Sequence, residues 1–101
     1  MSDTEQKIKE RGLTSPRVTP EHIDSVIDKV EYHKLTDVLT VCVITLMNGF
    51  TVTGESACAS PENFDEEIGK HIAYEMAKGK VWLLEGYLLK GQLFFEEHNS
   101  D

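Results

Sequence analysis

The sequence predicts an α+β domain: a three-stranded antiparallel β-meander, a short N-terminal helix before it, and a long C-terminal helical region packed on one sheet face. Three observations carry this. Val38 to Met47 (VLTVCVITLM) is dense in β-branched residues and runs into Asn48-Gly49. Thr19-Pro20-Glu21-His22 has the form of a helix start. From Pro61 onward apolar residues recur at i, i+4.

Thr19 can cap a helix, proline suits the first helical position and Glu21 complements the helix dipole. Ile23, Val26, Ile27 and Val30 follow at helical spacing, so the amphipathic helix is drawn over Pro20 to Lys29. Val30 to Leu35 is the first strand, turning at Thr36-Asp37, and Asn48-Gly49 supplies the positive φ angles of a tight hairpin before Phe50 to Ala57 returns. With two residues in each turn, one sheet face carries Val30, Tyr32, Leu39, Val41, Val43, Met47, Phe50 and Val52, with Lys34 at its edge. That nearly apolar face is expected under the helices. The opposite face then carries Val38, Thr40, Cys42, Ile44 and Leu46 between polar neighbours, which makes Val38, Ile44 and Leu46 candidates for a subunit interface.

Ser60-Pro61-Glu62 reads as the last helix start, with Asp65, Glu66 and Glu67 at its positive end. Phe64, Ile68, Ile72 and Met76 trace a stripe that resumes through Leu83, Leu84, Tyr87 and Leu88 to Phe94. Gly79 and Gly86 interrupt it, and interior glycine costs about 1 kcal/mol against alanine. Either one bent helix from Pro61 to Glu96 or two helices breaking near Gly79 is expected.

A chain of 101 residues has room for one domain, drawn here as an N-terminal arm over 1–18 (flexible, or partly helical from Thr4 to Arg11), a folded unit over 19–98 and a tail over 99–101. The formal net charge is -8, from 18 acidic and 10 basic side chains. Such a surface repels phosphate backbones, which argues against nonspecific DNA or RNA binding. No apolar run approaches the roughly 20 residues of a membrane helix, and the opening residues are polar, unlike a secretion signal. Cys42 and Cys58 lack metal-ligand spacing and read as reduced thiols in a cytoplasmic protein.

No catalytic constellation emerges, so no enzyme activity, cofactor or metal is expected. Glu67, His71 and Glu75 share a helix face without further converging ligands, and a solvated charged face explains them. Ser56 and Ser60 lack the glycine pattern of a nucleophile elbow. The corner Gly54 to Phe64 is small and polar, where a strand delivers the chain to a helix start; its amides can cradle an anion, or Ser60 simply caps the helix. Phe64, Tyr74, Trp82 and Tyr87 are the aromatics available to stack on a base, although each also suits the core. Arg11 and Arg17 are the only arginines, and a pocket between subunits would let one copy's Arg17 meet another's helix.

The segments RVTPEHIDSVI (Arg17 to Ile27), TVCVITLMNGFTVTGESACASPENFDEEIGKHIA (Thr40 to Ala73) and KVWLLEGYLL (Lys80 to Leu89) resemble a widespread family of small tailed-phage and prophage proteins of unknown function. The pattern is also similar to the Thoeris anti-defence sponge proteins. That resemblance implies sequestration, without degradation, of a cyclic nucleotide immune signal: a glycocyclic ADP-ribose isomer, or a cyclic oligonucleotide of the CBASS system. It further implies pockets between subunits of a homo-oligomer, in the cytoplasm of an infected bacterial host. The resemblance supplies no residue-by-residue pocket, so Arg17, Asn63, Phe64 and Lys90 are chosen as ligand-binding candidates on chemistry and position. The alternative is a protein–protein module that docks on a host or phage factor through the apolar sheet face.

Overall fold

The computed structural model describes residues 16–98; the Thr4 to Arg11 helix and the 99–101 tail lie outside them. Helix α1 (Pro20–Val26) is followed by strands β1 (Ile27–Lys34), β2 (Leu39–Leu46) and β3 (Thr51–Ala57), a 3-10 turn (Pro61–Asn63) and helix α2 (Glu66–His98). The sheet is an antiparallel meander in the order β1-β2-β3. The predicted α+β architecture is the one observed.

α1 is shorter than its periodicity suggested. The Thr19 side chain accepts from the His22 amide, as expected of the cap, but the chain becomes extended at Ile27. Ile27, Lys29 and Val30 pair with β2 instead of continuing the helix, with a register shift at Asp28. Three β-branched residues among Val26, Ile27 and Val30 favour that outcome once a partner strand is present.

Both hairpin turns contain three residues. Leu35 N donates to Leu39 O at 2.9 Å around Thr36, Asp37 and Val38, where the Thr36 hydroxyl accepts from the Val38 amide. Leu46 N donates to Phe50 O at 2.8 Å around Met47, Asn48 and Gly49, and Gly49 takes φ +89°. Glycine accommodates that left-handed geometry without a Cβ clash, and the arrangement is the common three-residue hairpin ending in a glycine bulge.

One extra residue in each turn shifts each pairing by one and turns β2 over relative to both neighbours. Thr40, Cys42, Ile44 and Leu46 therefore face the helices and are buried, together with Val52 and Gly54 of β3. This corrects the predicted faces. Ile44 and Leu46 are core, not interface, while Met47 and Phe50 sit exposed in the turn and after it. Leu39, Val41 and Val43 are half-buried on the opposite face, flanked by Lys29, Glu31 and His33 and by Thr51, Thr53 and Glu55. An apolar middle strand between polar neighbours survives there, but with different residues.

α2 is a single continuous helix through Gly79 and Gly86. Asp65, not Ser60, caps it: its carboxylate accepts from the Ile68 amide at 3.1 Å. The buried face of α2 is Gly69, Ala73, Ala77 and Val81, spaced four apart. The glycine and the two alanines let the helix backbone sit directly on β3. A Cβ on Gly54 would lie 2.2 Å from the Ala73 carbonyl oxygen and 2.3 Å from the Ala77 nitrogen. The core around this contact contains Ile23, Cys42, Ile44, Leu46, Val52 and Val81, with Val18, Ile27, Val30, Tyr74, Trp82 and Leu84 packed against it. α1 is tied to α2 by His22 Nε2 with Glu85 Oε1 at 2.5 Å and by Lys78 Nζ with Asp24 Oδ1 at 3.5 Å.

Gly54→Ala is expected to destabilise the fold by about 3 kcal/mol or more, since helix and strand backbones must separate to admit one methyl; urea denaturation measures it. Thr40 is 2% exposed, and its hydroxyl has no hydrogen-bond partner among the described residues. Thr40→Val should therefore raise stability by about 1 kcal/mol in the same assay. Burial raises the Cys42 thiol above its ordinary 9.0, and burial, then Cys42 and Tyr74, raise the Tyr32 phenol above 10.0. Both groups are disfavoured as anions only in the folded chain, so their contribution is intact below pH 9.0 and is lost as pH rises through the folded values. A fall in melting temperature beginning above that pH, reduced in Cys42→Ala, would show the linkage.

Candidate functional site

The corner after β3 builds the first candidate site. Ser56 and Ala57 end the strand, and the Cys58 amide donates to Val38 O at 3.1 Å, fastening the corner to the far end of β2. Ser60 donates to Glu62 across the 3-10 turn, and this bond, ahead of a backbone hydrogen bond, lowers the Glu62 carboxyl below its ordinary range. Asn63 and Phe64 then pass over the start of α2. With Val38, Ser56, Ala57, Cys58, Asp65, Ile68, Gly69 and Ile72 they line a cleft of about 140 Å³.

Phe64 is half-buried, and Lys34, from the end of β1, places its Nζ 4.5 Å from the ring centroid. Three strand ends and the helix start thus bring an aromatic ring, an ammonium and a carboxamide to one place. The helix-start amides are less available than the sequence implied. Asp65 occupies the Ile68 amide, and Glu66 and Glu67 add negative charge in the first turn.

Arg17 is elsewhere. It lines a second cavity of about 210 Å³ with Val18, His22, Glu85, Leu88, Leu89 and Gln92. The nearest helix residues of the two cavities, Ile72 and Glu85, are separated by about 20 Å along α2 at 1.5 Å per residue. Lys90 is exposed on α2 and lines neither cavity. A third hollow of about 210 Å³, lined by Leu46, Asn48, Phe50, Leu84, Glu85, Tyr87 and Leu88, is mostly apolar. Within one chain, then, Asn63 and Phe64 come together, Arg17 lines a different cavity, and Lys90 lines none of the three, although its neighbour Leu89 lines the cavity of Arg17.

Lys34 is the residue that sequence reasoning passed over, although its place at the edge of the helix-facing side of β1 pointed to it. Of the other aromatics, Trp82 and Tyr74 pack on the core and Tyr87 is 81% exposed. Lys78 lies 5.4 Å from the Tyr74 ring; burial pulls its ammonium down, but Tyr74 and Asp24 outweigh that and raise it. Cys42 and Cys58 are both free thiols. Among the described residues no three His, Cys, Asp or Glu side chains gather closely enough to hold a metal ion, and no helix is long and apolar enough to cross a membrane.

No curated protein and no solved structure matches the chain. A family profile does, over residues 18–93, from just before α1 through most of α2. The segments singled out in the sequence, from Val18 onward, all fall inside that match. The chain belongs to the phage protein (N4 Gp49/phage Sf6 gene 66) family.

Proposed function

We propose that this phage-family protein binds a cyclic nucleotide immune signal, of the glycocyclic ADP-ribose type or a CBASS cyclic oligonucleotide, and sequesters it intact in the cytoplasm of the infected bacterial host. The observation that carries the reading is the Phe64–Lys34 pair beside Asn63. An adenine nucleotide needs a ring to stack on, a cation for its phosphate and a hydrogen-bonding group for the base edge. All three types stand together at this corner.

Size argues that the site is shared. Pockets for small molecules usually enclose about 300–1,000 Å³. The individual cavities here, about 140 and 210 Å³, are too small for a cyclic dinucleotide. A homo-oligomer that closes a second chain over Phe64 would supply the missing wall and further cations, and Arg17 and Lys90 are the candidates to be supplied. A second reading, docking on a host or phage protein without any small ligand, is favoured by the exposed apolar side chains of α2 and the Leu39, Val41 and Val43 face.

Purified protein is incubated with each nucleotide, removed by filtration, and heated to release what it held. Sequestration depletes the free signal and returns it chemically unchanged. A hydrolysed product would mean catalysis, and no depletion across the set would leave the docking reading. Phe64→Ala should weaken nucleotide binding by about 5- to 150-fold, the range for losing one stacked base, with the circular dichroism spectrum preserved. Arg17→Ala with unchanged affinity would remove Arg17 from the site.

A further inference from the structure

α2 has two apolar faces, and among the described residues only one is buried. Gly69, Ala73, Ala77 and Val81 lie under the sheet. The larger side chains Ile68, Ile72, Met76, Leu83, Tyr87 and Phe94 are all between 43% and 81% exposed. At about 100° per residue these six fall within a sector of about 100° on one flank of the helix. That flank lies on the β3 side, since Ile68 and Ile72 line the cleft with Ser56 and Ala57. On the other flank Lys70 reaches Tyr32 and Lys78 reaches Asp24.

The extent of the stripe matches an interface. Taking roughly 200 Å² for a fully exposed side chain of this size, the six present about 700 Å² of surface. The largest apolar patch on a typical monomer is about 300–600 Å², whereas one side of a standard protein–protein interface is about 800 Å². The stripe is also complementary to itself. Read antiparallel about a point level with Ala77 and Lys78, Ile68 falls opposite Tyr87, Ile72 opposite Leu83, and Met76 opposite Gly79. Open space surrounds Gly79 where a Cβ would stand, which leaves room for an incoming methionine. The same register sets Asp65 level with Lys90, opposite charges that are both exposed.

Competing registers are worse. A parallel pairing sets Lys90 against Lys90 and leaves Gly79 facing Gly79 across a void. An antiparallel pairing that slides Ile68 opposite Phe94 sets Asp65 against Glu97 and Ile72 against Lys90. Antiparallel helices also oppose their dipoles, and a two-fold contact between identical surfaces closes at two copies.

We propose that two copies pair through α2 in this antiparallel register, and that the pairing carries Lys90 of one copy to the Asn63–Phe64 cleft of the other. Asp65 adjoins Phe64, so a lysine level with it approaches that residue from the β3 side, while Lys34 reaches the ring from β1. The cleft is then incomplete in one chain, and each dimer holds two sites. The association stands on the stripe alone; only the role of Lys90 rests on the nucleotide reading above.

Size measurement by sedimentation should give twice the 11.4 kDa of the chain, and Leu83→Glu should give one chain with unchanged helix content, because Leu83 is 75% exposed and supports no core. In a Cys58→Ser background, Ile72→Cys with Leu83→Cys should form disulfide-linked dimers on mild oxidation. Within one chain those positions are about 16 Å apart along the helix, too far to bridge. Each single-cysteine variant should remain uncrosslinked. A monomeric wild-type chain, or efficient crosslinking through Leu83→Cys alone, would overturn the pairing. Lys90→Ala should keep the dimer and lose at least 10-fold in nucleotide affinity. A dimeric Lys90→Ala that binds the cyclic nucleotides as well as the wild type would refute its delivery to the cleft while leaving the helix pairing intact.

Discussion

The contact between Gly54 and the backbone of Ala73 and Ala77 is the constraint from which the rest of this structure follows. A Cβ on Gly54 would meet two backbone atoms of α2 at 2.2 and 2.3 Å, so the helix rests on the strand with no side chain between them. Dispersion attraction falls steeply with separation, and close backbone packing recovers it along the whole length of contact. The four-residue spacing of Gly69, Ala73, Ala77 and Val81 keeps the small side chains on that line for three turns. Ile44, Cys42 and Val52 then fill the space to either side.

Because the sheet takes the small residues of α2, the large ones must go elsewhere. In an ordinary amphipathic helix the bulky apolar side chains mark the buried face. Here they mark a flank beside the buried line. The molecule is also long for its size: its radius of gyration is 17.1 Å, against about 13 Å for a compact domain of this length. Its longest dimension is 61 Å, and α2, at about 1.5 Å per residue, accounts for most of it. A helix extending beyond its own sheet with its bulkiest apolar residues outward is better suited to sharing surface than to standing alone. The acidic balance of the chain acts in the other direction, since like charges on two copies repel.

The strand sequences and their order were legible because β-branched density and the Asn-Gly signal are local properties. The facing of β2 was not. Asn48-Gly49 suits both a two-residue turn and the last two positions of a three-residue turn, and the two differ by one residue of register. That single residue decides whether Ile44 is core or surface. The same ambiguity at Thr36-Asp37-Val38 happened to act in the same sense, so β1 and β3 keep their predicted sides and only the middle strand is inverted. At the candidate corner, Asn63 and Phe64 were legible together because they are neighbours in the chain. Lys34 joins them only through the sheet, and the helix cap fell to Asp65 because the 3-10 turn after Pro61 delays the start of α2.

The sequence by itself determined the elements, their order, the α+β class and the composition of one polar corner, since each depends on interactions among residues a few positions apart. The tertiary structure alone decided which face of β2 is buried, which side of α2 is left open, and which cation reaches Phe64. Those outcomes depend on distances between segments far apart in the chain, set by turn length and by how closely two backbones approach at Gly54.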